Sequence, residues 1–380
     1  TPTPYTCRRQ RQMCIRDSTS IQAPRKRGGQ VGYKIVILGA SYGSLLGTKL
    51  LMAGHDVTLV CRRATADLIN SQGTDVRIKL RDESEHRSFQ SDELPGKLSA
   101  AAPEEIRPAD YDMAVLAMSE PQYGSESVSS LMRRIAEVDL PCLSIMNMPP
   151  LPFLRRIKGL DTSKLMACYS SPEAWSTLTP GAVTLCSPDP QAYRVLEEGA
   201  NVLRVTLPTN FKSAPFEKPE HNRILRDLEA SIDAIRVDGK EVPVKLRVFD
   251  SLFVPFAKWS MLLTGNYRCL LPGGARPIKE AVHDDLEMSR RIYEQVDEIV
   301  ARLGADSGDR VPFEKYAKAA FGLEKLSSAA RAIEGGSSYI ERVDLLVKLI
   351  ADQVGASSDE VDTIVDTTSA RLAPNQSTAA

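Results

Sequence analysis

A short glycine- and serine-rich turn, GASYGS, follows an apolar run near the start of the chain. Gly39, its first residue, suits a tight strand-to-helix turn, and the amides that begin a following helix can face a pyrophosphate, where the helix dipole favours negative charge. Dinucleotide folds usually carry G-x-G-x-x-G, whereas this turn has Ser41 and Ser44 at the second and third places. Gly43 or Gly47 would then supply the close approach of helix to strand. The turn alone leaves two hypotheses open, a nucleotide site and a structural corner.

Two arginines, Arg62 and Arg63, follow the next apolar segment, GHDVTLVC. An NAD site usually has an acidic residue about 20 residues beyond the glycine turn, where it holds the ribose 2′-hydroxyl. No acid stands at this position, and guanidinium groups suit the 2′-phosphate of NADP through charge-assisted contacts. NADP(H) is therefore the predicted cofactor, and the alternative is that both arginines are solvated loop residues.

A lysine, Lys258, interrupts the apolar segment FVPFAKWSMLL. Apolar neighbours such as Phe256 and Trp259 remove a lysine from water and can lower its pKa toward the working range of an enzyme. Reduction of a ketone needs a proton donor where the alkoxide develops, and such a lysine could supply it. The alternative is a lysine whose stem is buried while its ammonium reaches solvent.

The composition excludes several classes of function. The 380 residues have a formal net charge of −1, but residues 1–30 hold seven basic residues and one acidic residue, so the rest carries −7 and does not favour nucleic-acid binding. No uninterrupted run of 18 apolar residues predicts a membrane span. The seven cysteines form no C-x-x-C pair, which favours reduced thiols and a cytoplasmic location. The four histidines are scattered, so neither a metal site nor a Ser-His-Asp hydrolase is expected.

Strand and helix patterns alternate through the first part of the chain. The first three elements form a strand–helix–strand unit of about 30 residues, the size of a mononucleotide-binding half. Two more strands with a helix between them follow, which is typical of a parallel sheet with crossover helices. The predicted strands are 33–38, 56–61, 112–117 and 142–146, and the predicted helices are 44–53 and 127–137.

The pattern changes after residue 164. Short alternating segments at 164–171, 182–188 and 201–207 predict antiparallel strands that continue the sheet. From residue 220 the apolar spacing becomes helical. The predicted helices are 220–235, 245–271, 278–303, 313–321, 327–334 and 339–353.

These elements predict an α/β fold, a Rossmann-type NADP-binding domain followed by an all-helical C-terminal domain. The expected bounds are 31–214 for the first domain and 215–356 for the helical substrate and catalytic domain. Residues 1–30 have no periodicity and are expected to be a non-native or disordered arm, with a transit peptide or basic interaction arm as the alternative. The remaining residues, 357–380, form a tail that we expect to be disordered after Pro374.

The chain resembles the ketopantoate reductase family (2-dehydropantoate 2-reductases) over residues 33–356. The resemblance rests on KIVILGASYGS with GHDVTLVCRR, on SIMNMPP, on FAKWSMLLTGN and on LSSAARAIEGGSSYIERVDLL. Members are NADPH-dependent enzymes in which a helical domain follows a Rossmann domain. The resemblance implies an oxidoreductase that reduces a 2-oxoacid to a 2-hydroxyacid, with ketopantoate as the leading substrate, and a place in pantothenate biosynthesis.

The same resemblance implies roles for individual residues. Lys258 matches the general acid of the family, and Asn147 and Glu341 are further catalytic candidates. Asn266, Ser328 and Glu341 are expected to bind the substrate. The implied cofactor contacts are Gly39, Ser41, Tyr42, Gly43, Ser44, Arg62, Arg63, Ser119 and Asn147.

The sequence departs from the family pattern at three places. Leu262 stands where the family has an asparagine one turn after the lysine, Ser119 stands where a lysine is usual, and Met-Pro-Pro follows Asn147 in place of a glycine-rich turn. These changes bear on the substrate more than on the cofactor. Two alternatives therefore stay open: an opine-type dehydrogenase, which reduces an imine and often relies on a histidine and aspartate pair, and an NADP-binding regulator without turnover. A small 2-oxoacid is the expected binding partner, with no nucleic acid or membrane, and a homodimer is the assembly considered.

Overall fold

The computed structural model describes residues 21–22, 32–195 and 197–379. Its strands are β1 Ile21–Gln22, β2 Lys34–Leu38, β3 Asp56–Val60, β4 Asp75–Lys79, β5 His86–Gln90, β6 Leu98–Ala101, β7 Met113–Leu116, β8 Cys142–Ile145, β9 Val183–Ser187, β10 Gln191–Arg194, β11 Val202–Leu207, β12 Phe211–Ser213, β13 Arg236–Val237, β14 Lys240–Glu241, β15 Leu246–Val248, β16 Leu270–Leu271 and β17 Gly274–Ala275. Its helices are α1 Gly43–Met52, α2 Arg63–Gln72, α3 Glu126–Glu137, α4 Leu151–Leu154, α5 Pro219–Asp233, α6 Ala257–Met261, α7 Ile278–His283, α8 Leu286–Arg302, α9 Phe313–Ala320, α10 Ser328–Glu334, α11 Val343–Val354 and α12 Asp359–Ala379.

An eight-stranded sheet forms the centre of the first part, in the order β15-β12-β9-β8-β7-β2-β3-β6. Strand β2 pairs in parallel with β3 on one side and with β7 on the other. The chain thus continues on opposite sides of β2, and a topological switch point lies beyond the carboxyl end of this strand. Ligands of open α/β sheets bind at such switch points, beyond the carboxyl ends of the strands. Ile35 to Leu38 are fully buried, as expected for a central parallel strand that is covered on both faces. The predicted Rossmann-type fold with a helical C-terminal part is confirmed.

The predicted antiparallel continuation of this sheet is wrong. Residues Thr162–Cys168 form a short 3₁₀ helix instead of a strand, because Leu165 and Cys168, three positions apart, both turn into the core. Strand β9 runs parallel to β8, whereas β12 pairs antiparallel with β9 and β15 pairs in parallel with β12. Strand β11 belongs to a second sheet, with the order β10-β11-β4-β5.

The predicted helix over 245–271 is also wrong. Its beginning is β15, which pairs in parallel with β12, so the alternating residues of this segment follow a strand period. After β15 the chain forms α6 and then one π-helical turn, Leu262–Asn266. The predicted helix over 278–303 is divided into α7 and α8, because the Asp285 side chain accepts a hydrogen bond from the Met288 amide (2.9 Å) and starts a new helix.

Helix α5 packs on the sheet and beside α1. Its apolar residues Leu225, Leu228 and Ile232 share a core with Ile35 and Ile37 of β2. The sheet layer therefore extends through β15, beyond the boundary expected at residue 215.

The C-terminal tail, which was expected to be disordered after Pro374, forms helix α12. Val361 and Leu372 on this helix are buried, and Pro374 lies within it. The Asn375 amide donates hydrogen bonds to the carbonyl oxygens of Ile333 and Ser337, which anchors the helix to α10 and the loop beyond it. The expectation of disorder after Pro374 was wrong, because the apolar packing of this helix outweighs its proline and its polar composition.

The expected arm, residues 1–30, lies largely outside the described residues. Within it only Ile21–Gln22 is described, and this strand pairs antiparallel with Arg236–Val237. None of the helices in the described part of the chain is long and apolar enough to cross a membrane.

Candidate functional site

The glycine turn lies at the switch point of the sheet. Gly39 has a φ of +110°, and a Cβ at this position would lie 2.7 Å from the Ala117 carbonyl oxygen, so only glycine fits. A Cβ on Gly43 would lie 2.6 Å from Ile37 Cγ2, whereas one on Gly47 would have ordinary contacts of 3.5 Å. Gly43, one position before the usual third glycine, therefore provides the close approach of α1 to β2.

The beginning of α1 is open to a ligand. Ser41 is exposed, and no side chain caps the first turn of the helix. The Ser44 and Leu45 amides donate to the Ser41 and Tyr42 carbonyl oxygens (3.3 and 3.1 Å), so the capacity to bind an anion falls to the amides before them. Ser44 is buried and donates its hydroxyl hydrogen bond to the Ala40 carbonyl instead. The Tyr42 hydroxyl donates to the Pro190 carbonyl oxygen (2.7 Å), which joins the turn to the start of β10.

The two predicted arginines diverge at the end of β3. Arg63 is exposed and forms an ion pair with Glu105 (2.9 Å). Arg62 is exposed at the start of α2, within electrostatic reach of Arg194, the last residue of β10. Burial lowers the pKa of Arg194, and the neighbouring positive charge of Arg62 lowers it further. The second cation near Arg62 is thus a residue that sequence analysis missed.

Asn147 and Glu341 lie together, although 194 positions separate them. Asn147 follows β8 at the carboxyl edge of the sheet, and its Nδ2 donates to Glu341 Oε2 (3.3 Å). Its Oδ1 is buried and has no hydrogen-bond partner in the part of the chain that the structure describes. This free acceptor points to a ligand that donates a hydrogen bond.

A second carboxylate, Glu120, adjoins this pair. Its amide donates to Glu341 Oε1 (3.3 Å), and its own carboxylate, which is 1% exposed, accepts from the Ser170 amide (3.1 Å). Burial raises the pKa of Glu341 to about 7, the Glu120 charge adds to this rise, and hydrogen bonds from Asn147 and the Glu120 amide oppose it. Sequence analysis missed Glu120, whose signal is an acid just beyond the carboxyl end of β7.

Lys258 lies at the same edge but contacts different residues. Its Nζ is 3.3 Å from Asp189 Oδ1 and 3.5 Å from the Pro188 carbonyl oxygen, and the side chain is 19% exposed. Asp189 follows β9, the parallel neighbour of β8, so Lys258 and Asn147 lie beyond adjacent strand ends. No hydrogen bond between these described residues joins Lys258 to Asn147 or Glu341.

Asp189 holds two ammonium groups. Lys212 Nζ lies 3.2 Å from its Oδ2, and the Ser187 hydroxyl donates to Oδ1 (2.7 Å). Burial alone would raise the pKa of Asp189, but the charges of Lys258 and Lys212 outweigh burial, so the pKa is lowered. A charged carboxylate thus keeps the Lys258 ammonium at the edge of the sheet.

Three other residues predicted for the site, Asn266, Ser328 and Ser119, lie in or beside segments with hydrogen bonds of their own. Ser327 is the N-cap of α10, and its hydroxyl donates to the Asn266 carbonyl oxygen (2.7 Å), which brings Asn266 and the exposed Ser328 close together. Ser119 is exposed beyond β7 and bonds locally to Gln122.

Comparison with known proteins agrees with this geometry. Residues 35–135 match the family model "Ketopantoate reductase PanE/ApbA". The predicted resemblance is confirmed. No curated protein shows significant sequence similarity to the chain.

Solved structures with this fold extend the similarity beyond the matched segment. A candidate ketopantoate reductase from Ralstonia solanacearum superposes with a TM-score of 0.64 at 15% identity, over 90% of this chain and 99% of its own. A dimeric ketopantoate reductase from Staphylococcus aureus gives 0.59 at 10% identity, with the same coverage of 90% and 99%. D-mandelate dehydrogenase in complex with NADH gives 0.55 at 11% identity, again over 90% and 99%. At such identities the likeness defines the fold alone.

Proposed function

We propose that this chain is an NADPH-dependent reductase that converts a small 2-oxoacid to a 2-hydroxyacid, with ketopantoate as the leading substrate. The observation that carries the proposal is that three features lie at the same edge of the parallel sheet. They are the Gly39 turn, the unpartnered Oδ1 of Asn147 and the ammonium of Lys258. Few other functions need an anion-binding turn and a proton donor at the same switch point. The family match of residues 35–135 supports the same function.

The residues present fit a dinucleotide. The open amides of the α1 turn would hold the pyrophosphate, Arg62 would lie toward the adenosine ribose, and Asn147 Oδ1 would accept from the carboxamide of the nicotinamide. When bound, the cofactor supplies a hydride to the keto carbon. The chain supplies the binding groups, the orientation and the proton.

Lys258 is the proposed proton donor. The Asp189 carboxylate pairs with the Lys258 ammonium and holds it beside the cleft. A substrate oxygen that develops negative charge would accept the proton from Lys258 Nζ, and the lysine would regain a proton from solvent because it is partly exposed. Asp189 then acts by holding the donor in place.

Glu341 and Asn147 are proposed to orient the substrate. Near neutral pH the Glu341 carboxyl is partly protonated, because its pKa is raised to about 7 by burial. It can therefore donate to or accept from a substrate hydroxyl, as the hydroxyl of ketopantoate would require. Ser328 and Asn266 are proposed to bind the substrate carboxylate from the helical side.

A specific observation favours the imine alternative. Glu120, Glu341 and Asn147 Oδ1 form a group of acceptors that would suit an amine as well as a hydroxyl. Against it, the opine-type chemistry considered from sequence often uses a histidine and aspartate pair. Instead, His86 bonds to the Val205 carbonyl oxygen and His283 to the Ala317 carbonyl oxygen, away from this edge.

Rates of NADPH oxidation with a substrate panel test the proposal. The panel contains ketopantoate, apolar 2-oxoacids of similar size, and a 2-oxoacid mixed with an amino acid. Oxidation with 2-oxoacids alone supports the proposal, and oxidation only in the presence of the amine favours the imine reaction. Tight NADPH binding without oxidation would identify a regulator.

The panel also reads the effect of Leu262, an apolar residue where the family has asparagine. Loss of this donor and acceptor predicts a weaker demand for a hydroxyl-bearing substrate. A strong preference for ketopantoate over apolar 2-oxoacids would contradict this expectation while strengthening the function. The homodimer and the cytoplasmic location stay predictions, the first of which light scattering on the purified protein would test.

A further inference from the structure

We propose, building on the nucleotide site above, that Arg194 is the second cation that reads the ribose 2′-phosphate together with Arg62. The sequence points to Arg63 for this role, since it is adjacent to Arg62. The structure assigns Arg63 elsewhere, because its guanidinium is paired with Glu105. Arg194 would then determine the preference for NADPH over NADH.

The position of β10 brings Arg194 to the nucleotide. The strand begins after Pro190, whose carbonyl oxygen is held by the Tyr42 hydroxyl from the glycine turn. Its four residues span about 13 Å, and Arg194 stands at the far end beside Arg62. One strand thus runs from the proposed pyrophosphate turn to the end of β3, where the adenosine ribose of a Rossmann site lies.

The alternation of side chains directs Arg194 toward this site. Arg194 and Ala192 pair in register with Leu203 and Val205, which are both buried in the core shared with β2. Residues two apart lie on the same face of a strand, so Arg194 lies on the face that packs toward the nucleotide-binding layer. Tyr193 lies on the opposite face, 38% exposed, with Lys325 Nζ 4.7 Å from its ring centre.

Arg194 lacks the anionic partner that its neighbours have. Its Nε is buried without a hydrogen-bond partner, and no ion pair joins Arg194 or Arg62 to a carboxylate within the described ranges. By contrast, Arg77 and Arg204 on the same sheet both form ion pairs with Glu198, although the Arg204 Nε is also buried without a partner among the described residues. Two adjacent guanidinium groups repel each other when unpaired, and a phosphate between them would relieve the repulsion and satisfy Nε.

Titration of NADPH and NADH, followed by cofactor fluorescence, tests the role of Arg194. The wild type is expected to bind NADPH at least tenfold more tightly than NADH. Arg194→Ala should weaken NADPH binding by roughly 10- to 100-fold, typical of a lost charge-assisted hydrogen bond, and leave NADH binding unchanged. Arg62→Ala should act in the same direction, and Arg63→Ala, the matched control, should leave the preference intact.

Competition with nucleotide fragments gives a readout that needs no turnover. Adenosine 2′,5′-bisphosphate should displace NADPH better than adenosine 5′-monophosphate from the wild type, and this advantage should disappear in Arg194→Ala. Arg194→Met keeps the apolar stem and removes the charge, so it provides a folded variant if Arg194→Ala unfolds. Melting temperatures check the fold of each variant.

Several outcomes would overturn the role of Arg194. An unchanged NADPH to NADH ratio in both Arg194 variants would remove Arg194 from the site and leave the proposed reductase intact. A loss of preference in Arg63→Ala with none in Arg194→Met would return the role to Arg63. Equal binding of NADPH and NADH by the wild type would leave no phosphate recognition to assign. Binding of neither nucleotide would contradict the proposed function as well.

Discussion

The proposed nucleotide-binding part of the site, between Lys34 and Arg63, is one continuous strand, turn, helix and strand. The proposed proton-donor part is assembled from segments far apart in the chain, since Lys258 contacts Asp189 and Glu341 contacts Asn147 across 69 and 194 positions. The first part is determined by backbone geometry, with Gly39 at a φ of +110°. The second part is determined by side-chain charge and hydrogen bonds.

This difference predicts that the two parts respond to different kinds of substitution. A methyl group added to the turn should disrupt binding through the backbone. Removal of a charge from the assembled part should change turnover or pH dependence while the fold persists.

Lys258→Ala should give the largest effect. General acid catalysis contributes typically about 10²- to 10⁴-fold, so turnover should fall within this range while NADPH affinity changes little. Lys258→Arg should also fail, because guanidinium keeps its proton near neutral pH. Steady-state kinetics and cofactor titration measure both effects.

Lys212→Ala is the matched control for Lys258, because Lys212 binds the same Asp189 carboxylate. It should retain turnover within several-fold of the wild type. Near-normal turnover in a folded Lys258→Ala protein would remove the lysine from the mechanism.

Gly39→Ala should disrupt the nucleotide-facing part. The left-handed backbone costs a non-glycine residue about 1–2 kcal/mol, and the new Cβ must also displace the Ala117 carbonyl at 2.7 Å. We expect a loss of about 3 kcal/mol in unfolding free energy and at least tenfold in NADPH affinity. Urea unfolding and cofactor titration test this.

Gly47→Ala provides the comparison for the turn. Its Cβ would make ordinary contacts of 3.5 Å with the side chains of Ile37 and Val57, and alanine favours a helix by up to about 1 kcal/mol over glycine. Equal destabilisation by the two substitutions would show that the turn geometry has no special role.

Lys49 tests the packing beneath the turn through pH. This α1 lysine is fully buried, its Nζ donates to the carbonyl oxygens of Val242 and Pro243, and burial, with the charge of Lys245, lowers its pKa to about 7. Between pH 7 and about 10.4 the unfolded chain therefore binds a proton that the native chain lacks, so this group makes stability rise with pH.

Lys49→Met should remove this rise. We expect the stability difference between the variant and the wild type to shift by about 3 kcal/mol from pH 7 to pH 9.5, roughly two thirds of a full shift at 1.36 kcal/mol per pKa unit. The lost hydrogen bonds add a constant that does not depend on pH. Urea unfolding at both pH values measures this shift, and Lys79→Met, at an exposed position, is the control. Parallel stability profiles of the wild type and Lys49→Met would contradict the lowered pKa of Lys49.

Glu341→Gln should give the smallest effect, on the assembled part. Because the pKa of Glu341 is raised to about 7, the wild-type carboxyl loses its donor proton as pH rises through 7, and substrate KM should rise about fivefold, the value of one hydrogen bond. The native chain also holds a proton that the unfolded chain lacks between about pH 4.3 and 7, so the contribution to stability declines across this window.

The glutamine variant should flatten both profiles. Its amide donates a hydrogen bond at every pH. The rise of KM through pH 7 and the decline of stability between about pH 4.3 and 7, both due to Glu341, should therefore disappear. Glu324→Gln, an exposed residue near α10, should keep the wild-type profiles. A KM profile that is identical in the wild type and Glu341→Gln would contradict a titrating role for this carboxyl.

Local sequence predicted the continuous part well. The predicted ends of β2, α1 and β3 all lie within one residue of the observed ends. Buried apolar runs and a glycine turn are local signals, so the sequence can show them. The predictions of a strand at Thr162–Cys168 and of a helix at 245–271 were wrong, because tertiary packing decides between helix and strand for short apolar runs. Helix α12 was missed because its polar composition hides the packing of Val361 and Leu372.

Side-chain partners across the chain could not be read from the sequence. The contact of Lys258 with Asp189 and the electrostatic effect of Arg62 on Arg194 depend on where β9 and β10 end, and β10 itself was not predicted. Only the family resemblance joined Asn147 and Glu341 in advance. Spacing along the chain carries no such information when two residues meet through separate strands and helices.

The transfer of a labelled hydride tests most directly that one sheet edge holds both the nucleotide and the proton donor. The protein is incubated with NADPH deuterated at the reactive nicotinamide carbon and with ketopantoate or the best 2-oxoacid of the panel, and the product is analysed by mass spectrometry and NMR. We expect a 2-hydroxyacid with one deuterium on C2, formed at a rate that Lys258→Ala lowers at least 100-fold. A protein that binds NADPH but yields no labelled 2-hydroxyacid from any 2-oxoacid would contradict the proposed function.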